Sequence, residues 1–169
     1  MALREIRTEG DPILGKKTKP VKVLTPRLKE LISDMYETMR DANGVGLAAP
    51  QVGILKQIVT IEVEEGGECY TLINPRIISS EGEQTGYEGC LSVPGVSGVV
   101  TRPEKVVCEA LDENMNPRVI EAEGLLARCI CHELDHLEGH LYTELVEGDL
   151  VNNEELEAEE QQDAASPEN

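Results

Sequence analysis

The sequence predicts an α+β domain: short antiparallel or mixed β-strands packed around a central helix that carries an H-E-x-x-H pattern, with an amphipathic helix towards the N-terminus. Three features predict it. A helical pattern lies in the first quarter of the chain, a series of short strand-like runs fills the middle, and a second helical pattern follows them. That order differs from the strand–helix alternation that builds a parallel sheet.

The first helix is expected from Pro26 to Asn43, where Leu28, Leu31, Ile32, Met35 and Met39 recur at helical spacing. Thr25 is placed as its N-cap, Pro26 at its first position, and Asn43-Gly44 as its stop. A glycine-rich loop, GVGLAAPQVG, runs from Gly44 to Gly53. The runs QIVTIEV, ECYTLINP, RIISS, VSGVVT, KVVCEAL and RVIEA then read as strands, with turns at Glu65-Gly66-Gly67 and from Asn114 to Pro117. The second helix begins near Gly124 in LLARCICHELDHLEG. Leu125, Cys129, His132 and His136 share one of its faces, Leu126, Ile130, Glu133 and Leu137 lie beside it, and Gly139 ends it. Strand order is not encoded in such a pattern.

A length of 169 residues fits one domain, assigned to residues 1–150. With no Phe, no Trp and four Tyr, its core is aliphatic. Residues 151–169 form an acidic tail in which Glu154, Glu155, Glu157, Glu159 and Glu160 crowd among few apolar residues; disorder is expected there, an acidic helix being the alternative. Thirty-three acidic against 15 basic residues give a net charge of -18, which repels phosphate backbones and anionic membranes, so neither direct nucleic-acid binding nor membrane binding is expected. The opening MALREIRTEGDPIL lacks the apolar stretch of a signal peptide and no run is long enough to span a bilayer, so the expected location is cytoplasmic. Five irregularly spaced cysteines read as reduced thiols.

Chemistry concentrates in HELDH. Two histidines four residues apart on a helix present their imidazoles on one face to a single cation, and Glu133 beside the first stands within reach of a water on that metal. A catalytic site of this kind usually takes a third protein ligand. His140 lies about 12 Å along the helix axis from His132, too far to share one ion with both histidines. Peptidase completions of the motif require a histidine where Tyr142 stands, or an acid such as Glu154, Glu155 or Glu157 in the tail. Cys90, in a loop bounded by Gly86, Gly89, Pro94 and Gly95, is the better candidate, while Cys69, Cys108, Cys129 and Cys131 sit in strand or helix patterns as core. Two imidazoles and a thiolate suit zinc, iron, cobalt or nickel, and also a copper electron-transfer centre.

Three segments taken together, GVGLAAPQ (Gly44 to Gln51), EGCLS (Glu88 to Ser92) and HELDH (His132 to His136), resemble the peptide deformylases in order and spacing. The resemblance runs from REIRTEGDPIL to about Val146. It implies that Cys90, His132 and His136 hold one divalent metal ion, with Fe2+ favoured and Zn2+ also suitable, and that Glu133 is the general acid/base. Gln51 and the backbone N–H of Leu91 would form the oxyanion hole. The implied reaction is hydrolytic removal of the formyl group from the N-terminal formyl-methionine of newly made polypeptides. The implied partners are those nascent chains, with transient proximity to the ribosome. Cys131 stands where many members carry Gln, and the tail lacks a basic helix for ribosomal RNA.

Such a reaction also needs room and an apolar pocket. Gly44 and Gly46 would let a peptide lie beside their loop. Leu91, Leu125 and Cys129, with the aliphatic edge of His132, would line a pocket for the methionine side chain, although helical spacing predicts core packing for Leu125 and Cys129 whether or not a ligand binds. Glu88 and Asp135 are placed to orient the ligands or to pair with Arg102. Arg128, one turn before His132 on a face where an apolar wall is expected, would either extend outwards or narrow the pocket's mouth.

Overall fold

The computed structural model describes residues 2–165. Helix α1 (Pro26–Asp41) precedes strands β1 (Gly46–Ala48), β2 (Ile58–Ile61), β3 (Tyr70–Glu81), β4 (Gln84–Cys90), β5 (Val93–Arg102), β6 (Lys105–Leu111) and β7 (Pro117–Glu123). Helix α2 (Gly124–Leu137), strand β8 (Glu147–Asn152) and helix α3 (Asn153–Ala165) complete it. The strands form two sheets, one of five in the order β1-β2-β3-β6-β7 and one of three in the order β4-β5-β8, and every pairing within them is antiparallel.

The larger sheet separates two apolar clusters. Val59, Ile61, Leu72, Cys108 and Ile120 pack with Ala127 and Ile130 of α2, while Ile58, Ile73 and Leu47 pack with Leu31, Met35 and Met39 of α1. Alternate residues of β2 thus point to opposite covered faces, which explains why Ile58–Ile61 is buried throughout, Thr60 included. A smaller cluster, Val93, Val100 and Tyr142, fastens the three-stranded sheet beneath the turn after α2.

Local chemistry sets the helix ends. The Thr25 hydroxyl accepts from Leu28 N–H at 3.2 Å, and α1 stops where Asn43 turns to φ +57°. At the end of α2, Gly139 has φ +84°, and a Cβ there would lie 2.6 Å from the Gly15 carbonyl oxygen. Only glycine satisfies both constraints.

The acidic tail departs from the expected disorder. Val151 and Asn152 extend β8, paired with Ser97 and Val96 of β5, so the folded part continues past residue 150. Residues Asn153–Ala165 then form α3. Low apolar content argues against burial, but Glu, Ala and Gln are good helix formers, and Glu154 and Glu155 in the first turn favour the helix dipole. The start is fixed by Asn152 Oδ1, which accepts from Glu154 N–H at 2.8 Å, and by the Ser97 hydroxyl, 2.6 Å from Asn153 Oδ1. The tail's last residues, 166–169, lie outside the described residues. No helix among the described residues is long and apolar enough to cross a membrane.

Arg40, in the last turn of α1, donates to the Glu62 carboxylate just past β2 at 2.6 Å, and Glu62 N–H bonds to the Val45 carbonyl at 2.9 Å, so this pair closes the loop that holds Gly44 and Gly46. Hydrogen bonds from the Arg40 guanidinium, then from the Cys69 thiol, hold the Glu62 carboxyl down at about 2, against an ordinary 4.5. A depressed carboxyl contributes stability that is complete above its unfolded value and lost as pH falls through its folded one. Glu62→Gln is therefore expected to flatten the acid limb of stability between pH 4.5 and about 2, as read from urea midpoints against pH, while the parent loses stability steadily across that window.

Candidate metal centre

Helix α2 brings His132 and His136 one turn apart, with ring centroids separated by 5.0 Å. Cys90 ends β4, and its Sγ lies 3.3 Å from His136 Nε2. One donor atom from each of Cys90, His132 and His136 falls within 4.8 Å of the others, the one such grouping of three among the described residues. His132 Nδ1 donates to Glu88 Oε1 at 2.8 Å, which leaves Nε2 as that ring's free donor towards the cluster. Glu133 Oε1 is buried without a hydrogen-bond partner, 4.0 Å from His136 Nε2. A thiol, two imidazoles and an orphaned carboxylate oxygen converging at these distances fit a divalent cation.

The electrostatics agree with that fit. Burial works to lower the pKa of His132, but the charge of Glu133 and the hydrogen bonds to Cys90 and Glu88 together raise it. Surroundings that raise an imidazole's affinity for a proton raise its affinity for a metal cation too. His136 is pushed down, first by burial and then by the positive charge that a proton on His132 would bring, and so stays neutral and able to ligate. Burial raises the Glu133 carboxyl to about 7.

Behind the histidines stands a buried ionic network. The Glu88 carboxylate accepts from Arg102 Nε at 2.8 Å and Nη2 at 2.9 Å, and from Arg128 Nη1 at 2.7 Å. Arg102 Nη1 also reaches Asp135 at 2.7 Å. Glu88 therefore both orients His132 and pairs with Arg102. Arg128 turns inwards: its guanidinium is anchored on Glu88 and on the Val100 carbonyl at 3.1 Å. Beyond an arginine on an apolar face, no local pattern marks that anchorage. None marks the roles of Tyr142, which stacks on His132 at 5.8 Å, or of Ser92, which accepts from Gln51 Nε2 at 3.0 Å.

Gln51 is buried in the 3-10 turn Ala49–Val52 after β1. Its Oε1 accepts from Ala48 N–H at 2.9 Å, and its Nε2 lies 3.5 Å from Cys90 Sγ, so the N–H end of the amide faces the cluster. Leu91 sits in the tight turn between β4 and β5. A cavity of about 420 Å³ opens here, lined by Gly44, Gly46, Gln51, Cys90, Leu91, Leu125, Cys129, His132 and Glu133, with Arg128 in its wall. The two glycines make room for site side chains: a Cβ on Gly44 would lie 2.5 Å from Leu91 Cδ1, and one on Gly46 would lie 2.5 Å from Glu133 Oε2. His140 stands apart, exposed and 3.3 Å from Glu144.

The sequence pattern of the family described as Polypeptide deformylase matches residues 3–149. The chain belongs to that family. A peptide deformylase of Agathobacter rectalis is 65% identical over 150 residues, covering 89% of this chain and 94% of the relative. One from Lachnoclostridium phytofermentans is 55% identical over 163 residues, covering 96% and 100%. Among solved structures, the peptide deformylase from Legionella pneumophila superposes with a TM-score of 0.84 at 40% identity, over 98% of this chain and 100% of that one. That of Synechococcus elongatus in complex with actinonin gives 0.83 at 44% identity, over 86% and 79%. The chain is thus a hydrolase with peptide deformylase activity, and its fold of helices with antiparallel sheets is that of the deformylases.

Because Glu133 is enclosed, the crowding at Gly46 has a sharp consequence. A Gly46→Ala side chain must displace that carboxylate, and a misplacement on the order of 1 Å within an active site can cost about 100-fold in rate. Formate release from a formyl-methionyl peptide is expected to fall at least about tenfold in Gly46→Ala, and to stay unchanged in Gly15→Ala, where an added Cβ meets nothing within 4 Å.

Proposed function

We propose that the chain removes the formyl group from the N-terminal formyl-methionine of newly made polypeptides in the cytoplasm, using one divalent metal ion held by Cys90 Sγ and the imidazoles of His132 and His136. The observation that carries this reading is the convergence of those three donors on one another, with Cys90, His132, the Glu133 carboxylate and the Gln51 amide lining one cavity. A bound dication would polarise the formyl oxygen and make water a stronger acid. Fe2+ is favoured by the family resemblance, and Zn2+ suits the same donors.

The remaining work falls to the chain's own groups. Glu133, whose carboxyl pKa burial raises in the metal-free chain, takes the proton of the attacking water and passes it to the leaving amine nitrogen as the C–N bond breaks. Negative charge that develops on the formyl oxygen is met by Gln51 Nε2 and the Leu91 backbone N–H. Ala48 N–H occupies the opposite end of the Gln51 amide, which supports the assignment of Nε2 as the donor. Glu88 acts behind the site by fixing the His132 ring. Gly44, Leu125 and Cys129, with Leu91, shape the pocket for the methionine side chain. The tail helix α3 carries no basic residue, so it offers ribosomal RNA no cationic surface.

Glu133→Ala, loaded with cobalt, is expected to keep the visible absorption of a thiolate-ligated metal while losing formate release by about 100-fold to 10,000-fold. Release at the parent rate with metal retained would remove Glu133 from its role. Gln51→Leu should lower kcat by about 100-fold to 1,000-fold with a much smaller change in KM, because the amide is asked to act on charge that exists only in the transition state.

A further inference from the structure

A concavity larger than the catalytic cavity lies elsewhere. A groove of about 750 Å³ runs between the segment before α1, the first turns of α1 and the approach to β2, and it shares no lining residue with the catalytic cavity. Its charged lining is entirely basic: Arg4, Lys19, Lys22, Arg27 and Lys56. That is unexpected in a chain of net charge -18, and it has a sequence origin, because six of the fifteen basic residues fall between Pro12 and Lys29, a stretch with no acid. Arg4 is neutralised by Asp34 at 2.9 Å, whereas Lys19, Lys22, Arg27 and Lys56 form no ion pair among the described residues. Between the cations the surface is aliphatic: Val21 and Leu31 make a buried floor, and Val23 stands 68% exposed beside it.

The wall of the groove is held rigid. Val21 is pinned through both of its backbone groups, its N–H donating to Asn74 Oδ1 at 2.7 Å and its carbonyl accepting from Asn74 Nδ2 at 2.8 Å. Asn74 adopts φ +51° inside β3 to make this clamp, a conformation of the kind retained where surrounding structure demands it. The adjoining backbone is tied by Lys19 N–H to the Leu55 carbonyl and by Gln57 N–H to the Lys19 carbonyl. A pre-formed groove loses little conformational freedom when it is filled.

We infer that this groove docks an acidic protein segment that also carries aliphatic side chains, presented by a partner protein. Carboxylates would meet the four unpaired cations and the positive end of the α1 dipole, while leucine- or valine-like side chains cover Val23 and the floor. Nucleic acid fits less well. The groove has no aromatic side chain on which bases could stack, and a long polyanion running past it meets the repulsion of the surrounding acidic surface, whereas a short segment lies within about one Debye length, ~10 Å, of its cations.

The test uses the metal-loaded full chain and three fluorescein-labelled probes: a twelve-residue peptide of glutamate and leucine, the same peptide with serine in place of leucine, and a single-stranded oligonucleotide of equal length. Fluorescence anisotropy should show saturable binding of the glutamate–leucine probe, weakened about tenfold or more in Lys22→Glu/Arg27→Glu and by raising the salt, with the serine probe at least several-fold weaker. Both substituted positions are exposed and outside the catalytic cavity, so thermal unfolding and formate release should match the parent. No saturable binding, or equal binding by the charge-reversed variant, would overturn the inference. Tighter binding of the oligonucleotide would overturn it in favour of a nucleic-acid patch, and self-association lost in the same variant without peptide binding would assign the groove to a second copy of the chain.

Discussion

The Glu88 carboxylate lies buried between the three-stranded sheet and α2, where it accepts hydrogen bonds from Arg102 of β5 and from Arg128 and His132 of α2. An isolated buried carboxylate would cost several kcal/mol, and the cost is offset only when its lone pairs are filled with good geometry. Here two guanidinium groups and an imidazole fill them, and Asp135 balances the second positive charge by pairing with Arg102. Although burial alone would raise its pKa, hydrogen bonds from Arg102 and His132 hold Glu88 down at about 2, so the charge that organises the network is present throughout the physiological range. Sheet and helix are thereby fixed to each other at the level of His132. The metal-site geometry is a consequence of that joint.

The sheet's contribution depends on an irregularity. In a regular strand Glu88 and Cys90 would project on the same face, yet Glu88 has to meet α2 from behind while Cys90 meets His136 at the cavity. Between these two residues the register of β4 against β5 slips, from Glu88 opposite Gly98 to Cys90 opposite Val93. Slips of this kind bend a strand and re-aim a side chain. The same hairpin carries Ser92, which holds the Gln51 amide, so one distortion presents a sulfur donor and orients a hydrogen-bond donor together.

Legibility in the sequence followed the range of the interaction. Thr25, Pro26 and the 3.6-residue spacing act within one helix, and the α+β class follows from the order of such local patterns. HELDH likewise carries its two histidines on one turn. The third donor was a choice among five cysteines on residue chemistry, because Cys90 and His136 are 46 positions apart and no local periodicity links them; the family resemblance narrowed that choice through the order of three motifs. The pairing of Arg128 with Glu88, 40 positions apart on different elements, leaves no readable trace. The tail shows a different failure: composition reports whether a segment can bury itself, whereas α3 needs only helix propensity and a capped start.

Net charge has the same weakness as composition, since it averages over surfaces that never meet. Six acids of this chain stand in α3 with no basic residue, while the stretch from Pro12 to Lys29 is wholly basic in its charged residues. A formylated N-terminus carries no charge, so neither region attracts or repels it, and its selection has to rest on shape and hydrogen bonding. Charge is then free to be distributed for other purposes on the rest of the surface. The overall value of -18 governs what approaches from beyond a Debye length; what the molecule can hold at close range is set by which cations lack an ion pair among the described residues, and four of those line one groove.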